Sequence, residues 1–135
     1  MKAFLLVLAS VLLSSPARAG EADLRAQVEK DFLRPLFAAE RARSRFSRAL
    51  LPPMARRVSI RSDEASRDGT GRTYVPFRVE ESYRPDQWRA SRLAGCIYPE
   101  TGAIYVKAGE GRYYDAAVFF QKSAARAPSA ACGAS

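Results

Sequence analysis

Apolar residues return every three or four positions along the first third of the chain. Leu24, Val28, Phe32 and Leu36 recur at intervals of four, with Leu33 and Phe37 beside them. That spacing draws one apolar stripe down a helix and predicts helical structure over 21–50. Glu21 and Asp23 stand in its first turn, where negative charge complements the helix dipole. Pro35 interrupts the stripe. Its ring lacks an N–H and crowds the preceding turn, so a kink or a break into two helices is expected there. The second piece would bury Ala39, Ala42, Phe46, Ala49 and Leu50 and end at Pro52-Pro53.

From Arg56 onward the period becomes two. Arg57, Ser59 and Arg61 alternate with Val58 and Ile60, which reads as a half-buried strand. Asp68-Gly69-Thr70-Gly71 marks a turn. Thr73 to Tyr83 predicts a second strand, with Val75, Phe77 and Val79 on one face and Tyr74, Pro76, Arg78 and Glu80 on the other. Pro76 cannot donate to a ladder, so this strand is expected at a sheet edge or with a bulge. Arg84 to Leu93 reads as a polar connection. Gly95-Cys96-Ile97-Tyr98, the turn Pro99-Glu100-Thr101-Gly102 and Ala103 to Lys107 form a hairpin signature. A second tight turn over 108–111 leads to Arg112-Tyr113-Tyr114, and Ala116 to Gln121 reads as a last strand or a short helix.

A helix followed by hairpin-linked strands predicts an α+β fold: an N-terminal helix, kinked or broken near Pro35, on an antiparallel sheet of about 4–5 strands. One domain over 20–122 is expected, with an Ala-, Ser- and Pro-rich tail over 123–135. Composition alone would leave that tail disordered. Cys132 changes the reading: Cys96 and Cys132 are the two cysteines of the chain, and a bridge between them would pin the tail back across the sheet.

The start of the chain supplies the compartment. Lys2, the apolar run from Ala3 to Leu13, the breakers Ser14, Ser15 and Pro16, and Ala17-Arg18-Ala19 match a secretory signal peptide over 1–19, cleaved after Ala19. The apolar run is too short to cross a bilayer, so no transmembrane segment is expected in the mature chain. A periplasmic or secreted protein is expected, and there a cysteine pair forms a disulfide.

Charge narrows the partners. The net charge is +8, and the chain stays basic once Lys2 and Arg18 are removed. Such a balance favours an anionic envelope component, whether a phosphate-bearing lipid or polymer or an acidic protein. Export argues against a nucleic-acid partner. No acidic residue lies between Arg41 and Arg61. Arg41, Arg45 and Arg48 follow helical spacing, and Arg57 and Arg61 share a strand face. Guanidinium clusters bind carboxylate or phosphate bidentately, although cations near a helix C-terminus also have an ordinary structural use. Arginine also alternates with rings in Tyr83-Arg84, Trp88-Arg89 and Arg112-Tyr113-Tyr114, a pairing that serves stacking or interface contact, and Trp88, alone in a polar stretch, is the candidate exposed anchor.

Catalytic signatures are few. The chain has no histidine, which removes Ser-His and Cys-His dyads and histidine-based zinc sites. Glu80 and Glu81 are adjacent on a strand and point to opposite faces. Gly69 and Gly71 begin no dinucleotide fingerprint, because Tyr74 stands where a third glycine belongs. The loop from Glu64 to Gly69 carries Arg67 and lacks the closing carboxylate of a calcium loop. No cofactor is expected. The expectation is a small basic binding protein without catalytic activity. A small-ligand carrier with an apolar cavity and a carboxylate-based envelope hydrolase stand as alternatives.

Overall fold

The computed structural model describes residues 20–44, 53–108, 111–120 and 127–133. The expected signal peptide, the second half of the arginine ridge (Arg45 and Arg48) and the end of the predicted helix, with Phe46, Ala49 and Leu50, lie outside them.

Helix α1 (residues 20–44) runs unbroken through Pro35. A single wide turn at Glu29–Leu33 takes up the misfit: the Arg34 N–H reaches back five residues to the Glu29 carbonyl. A π turn just ahead of proline relieves the crowding its ring imposes one turn earlier, so of the expected kink or break the helix shows a widened turn and no break into two helices. Val28, Phe32 and Leu33 are buried as the stripe predicts, with Leu24 and Leu36 packed beside them. Phe37 and Ala42 are exposed, because the C-terminal half of α1 passes beyond the sheet's apolar face.

Among the described residues six strands form an antiparallel sheet: β1 (Ala55–Ile60), β2 (Ser66–Arg67), β3 (Thr73–Arg84), β4 (Gln87–Ile97), β5 (Ile104–Lys107) and β6 (Tyr113–Asp115). The order is β1-β3-β4-β5-β6, with β2 also paired to β3. The arrangement is α+β, one helix on an antiparallel sheet, with one more strand than the pattern suggested because the two-residue β2 carries no periodic signal.

Three findings correct the strand reading. First, β3 is central, flanked by β1 and β4, so of the expected edge or bulge the edge fails, while the register against β4 does shift, between Arg78 and Glu80 and between Glu81 and Arg84. Pro76 is tolerated there because its carbonyl accepts from Arg61 just past β1, which aims its nitrogen at the same gap, between the end of β1 and the start of β2. Second, the polar stretch from Arg84 to Leu93 is mostly strand. Pro85-Asp86 makes a two-residue turn with Asp86 at φ 60°, and β4 starts at once, at Gln87. A bulge follows, and the Ser91 hydroxyl fills it by donating to the Val79 carbonyl at 2.7 Å. Third, residues 116–120 are turns, neither strand nor helix.

One row crosses five strands on the helix side: Ile60, Phe77, Gly95, Val106 and Tyr114. Gly95 lies beneath the Phe77 ring; a Cβ there would stand 2.7 Å from Phe77 Cζ and 2.1 Å from the Tyr105 carbonyl oxygen. Phe32 fills the space above the sheet and meets Phe77, Phe119 and Phe120 at 5.7–6.4 Å between ring centres.

The disulfide Cys96–Cys132 is present, and it puts the tail on the opposite face from the helix. Cys96, Tyr98, Ala131 and Cys132 form a second buried cluster with Tyr74, Tyr105 and Tyr113 around it. Ser129 donates its N–H to the Tyr113 carbonyl at 2.8 Å, extending the sheet by one bridge. The layers are therefore helix, sheet and tethered tail.

Candidate binding surface

Register alone explains where the arginines go. Arg56 and Arg57 are neighbours on β1, so they point to opposite faces. On the helix side Arg56 pairs across β3 with Glu81 at 3.1 Å and grips both carboxylate oxygens of Glu40 on α1, the Nη2–Oε2 contact being 2.6 Å. The Arg56 side chain is only 10% exposed. Burial works against its charge, but the hydrogen bonds and charges of Glu40 and then Glu81 outweigh it and raise its pKa above the ordinary arginine value. Arg56 is a clasp between layers.

On the outer face Arg57 pairs with Glu80 at 3.1 and 3.3 Å and lies over the Trp88 ring, 4.3 Å from its centre. Arg61 and Arg78 both approach Glu64, at 3.8 and 3.9 Å, beyond hydrogen-bond reach, and among the described residues the Arg61 Nε has no hydrogen-bond partner. Arg41 is exposed on α1 and stacks on Phe37 at 5.6 Å. The sheet thus separates Arg41 from Arg57 and Arg61, and these three form no single patch. At Arg56, Arg57 and Arg61 the run without acids exists along the chain but not in space, since Glu40, Glu80, Glu81 and Glu64 come in from other elements.

Cations and exposed rings do meet at the far end of the β3–β4 hairpin. This end projects beyond the rest of the sheet, because β5 pairs with β4 only from Ala94 to Ile97 and β1 with β3 only up to Ser82. Residues 83–90 are exposed throughout. Trp88 sits here with Arg57 on the outer face, 37% exposed. Tyr83 sits on the helix-side face, 44% exposed, with the Arg89 guanidinium 4.7 Å from its ring centre. Arg84 and Arg92 add charge, and Asp86 at the turn is the one carboxylate between Arg84 and Arg92. Met54, 64% exposed, joins this end through its N–H bond to the Ser82 carbonyl. Sequence reasoning named Trp88 and the pairs Tyr83-Arg84 and Trp88-Arg89 but not Arg92, and it did not bring them together on one hairpin because it read 84–93 as a polar connection. The alternation of Trp88 and Arg89 just after a Pro-Asp turn was the available signal.

The other candidate sites have less to offer. Glu40 and Glu81 converge on an open groove of about 580 Å³ lined also by Leu36, Tyr83 and Arg89. However, Arg56 stands between them and occupies both oxygens of Glu40 and one of Glu81. An apolar groove of about 350 Å³ between α1 and β1, floored by Leu33, Phe37 and Pro53, is open to solvent. The enclosed space between helix and sheet is filled by the phenylalanine cluster.

Set against protein-family models, curated proteins and solved structures, the chain matches none of them. The functional reading therefore rests on the chemistry of the surface.

Proposed function

We propose that this is an exported, periplasmic or secreted, basic protein that binds an anionic macromolecular partner without catalysing a reaction. The observation that carries the reading is the projecting hairpin end, where Tyr83 and Trp88 are exposed among Arg84, Arg89 and Arg92. A folding role would bury those rings; here they lie outside the core, stacked against guanidinium groups. Arginine offers planar donors to phosphate or carboxylate, and a ring beside it offers apolar contact without long flexible stems. The Cys96–Cys132 bridge suits an oxidising compartment, and the net charge of +8 favours anionic partners at long range.

The hydrolase alternative draws on Glu40 and Glu81, which do converge, but the Arg56 donors hold the oxygens that a reaction would need. The carrier alternative needs an enclosed apolar space, and the grooves at hand are open.

The test is capture from an envelope extract at low and high salt, using the protein and two charge-reversed variants. Arg84→Glu with Arg92→Glu alters the hairpin end; Arg67→Glu with Arg72→Glu alters exposed cations elsewhere. Salt-sensitive capture lost only in the hairpin variant supports the reading. Equal loss in both variants, or no salt-sensitive capture, rejects it.

A further inference from the structure

From the arrangement of rings on the β3–β4 hairpin we infer that its end enters the headgroup layer of an anionic phospholipid bilayer. This names the partner of the surface just described and rests on that reading. Trp88 and Tyr83 stand on opposite faces of one strand pair, each beneath an arginine: Arg57 over Trp88 at 4.3 Å and Arg89 over Tyr83 at 4.7 Å. A flat protein surface presses on one face of a ribbon and leaves the other ring unused. A hairpin that enters its partner end-on uses both, and a lipid interface, having no fixed shape, admits it.

The chemistry matches the depth. Tryptophan and tyrosine favour the boundary between water and lipid, where the apolar ring is buried and the polar tip stays wet. Arginines close behind such rings meet the phosphate layer of an anionic leaflet. Among the described residues the β4 edge facing β5 has no strand partner before Ala94. Those backbone groups need water or headgroups, so the end stops at headgroup depth and does not reach the hydrocarbon. Asp86 at the tip opposes this charge pattern and sets its strength.

Trp88 is the only tryptophan of the chain, so its emission reports this hairpin whatever other part of the protein touches lipid. The experiment mixes the purified protein with vesicles of phosphatidylcholine, with or without phosphatidylglycerol, and repeats the titration with brominated lipid as quencher. Vesicles containing phosphatidylglycerol should shift Trp88 emission to shorter wavelength and expose it to quenching; phosphatidylcholine alone should do neither. Arg84→Glu with Arg92→Glu should weaken vesicle affinity by about a hundredfold or more. Asp86→Asn keeps a residue that tolerates positive φ and removes the opposing charge, so its affinity should rise several-fold. Vesicle binding without shift or quenching would overturn end-on entry while leaving an anionic partner in place. Absence of vesicle binding beside hairpin-dependent capture of an envelope protein would also overturn it, and would assign the surface to a protein. Loss of both vesicle binding and capture would reject the underlying reading too.

Discussion

Arg56 on β1 holds both carboxylate oxygens of Glu40 on α1, so a charged clasp joins the helix layer to the sheet. Glu81 shares the same guanidinium through Nε. Removing the arginine leaves two carboxylates facing each other in a groove with their partner gone, which is worse than never having had the pair. Arg56→Ala should therefore destabilise the protein by about 2–3 kcal/mol, below the range for fully buried pairs because Glu40 is partly exposed. Glu40→Gln keeps an acceptor for one donor and should cost about 1 kcal/mol. Urea unfolding of both variants checks the order; equal stability of Arg56→Ala and the parent would remove the clasp from the account.

The tail is held by one covalent bond and a few hydrogen bonds. Cys96 and Cys132 close a loop of 36 residues, and the chain-entropy relation gives such a loop about 4 kcal/mol, an upper figure. Reduction should lower stability by about 2–4 kcal/mol. It should also release the Ser129 and Cys132 N–H groups to solvent exchange, since their acceptors, the Tyr113 carbonyl and the Tyr98 hydroxyl, are reached only when the tail lies on the sheet. Intact mass with and without reductant, then hydrogen exchange on each form, gives the readout. Undiminished protection after reduction would mean that packing alone seats the tail.

What was legible in the sequence follows from where apolar residues are periodic. The α1 stripe and the two faces of β3 came through because each buries one face against the same core. The disulfide came from simple pairing of two cysteines. The start of β4 did not, because residues 87–90 are exposed on both faces and carry no apolar alternation. It is a strand because β3 beside it is one and Pro85-Asp86 folds it back. The arginine run misled for a related reason: local sequence shows no acid nearby, yet Glu40 and Glu81 reach Arg56 from 16 and 25 residues away. Contacts at that separation exist only once the helix has docked and the strands have paired.

Asp68 and Tyr98 link the β2–β3 turn to the tail, and their titration should show it. Hydrogen bonds from Thr70 and Tyr98, and from the Arg72 and Thr70 backbone, hold the Asp68 carboxyl well below the usual carboxylate range. A pKa lowered on folding adds stability above the unfolded value of about 4, and that gain fades as pH falls through the folded value. Burial, with the Asp68 hydrogen bond and charge, pushes Tyr98 up against the opposing Cys132 N–H. A raised tyrosine adds stability that is present at neutral pH and is lost as pH climbs past about 10 through the folded value. The advantage of the parent over Asp68→Asn should thus shrink in acid, and its advantage over Tyr98→Phe should shrink in alkali. At neutral pH Tyr98→Phe should cost about 1–2 kcal/mol, because the buried Cys132 N–H loses its acceptor at 2.9 Å. Denaturant titrations at three pH values test both signs, and a gap that widens in acid for Asp68→Asn would refute the assignment.

If the hairpin end is spare to folding, truncation there and truncation in the core should part company sharply. Phe32 is fully buried and touches three other rings; Phe32→Ala should cost about 3–5 kcal/mol. Gly95→Ala drives a methyl into the Phe77 ring and the Tyr105 backbone, and the backbone cannot give way as a side-chain end can. It should cost about 3 kcal/mol despite adding a single carbon. Trp88→Ala forfeits only a half-exposed stack with Arg57, which keeps its Glu80 partner; it should cost no more than about 1 kcal/mol. The largest side chain in the protein would then be among the least important to its stability. That outcome leaves partner contact as the use for Trp88, whereas a loss as large as that of Phe32→Ala would make Trp88 a structural residue and withdraw the hairpin end as a binding surface.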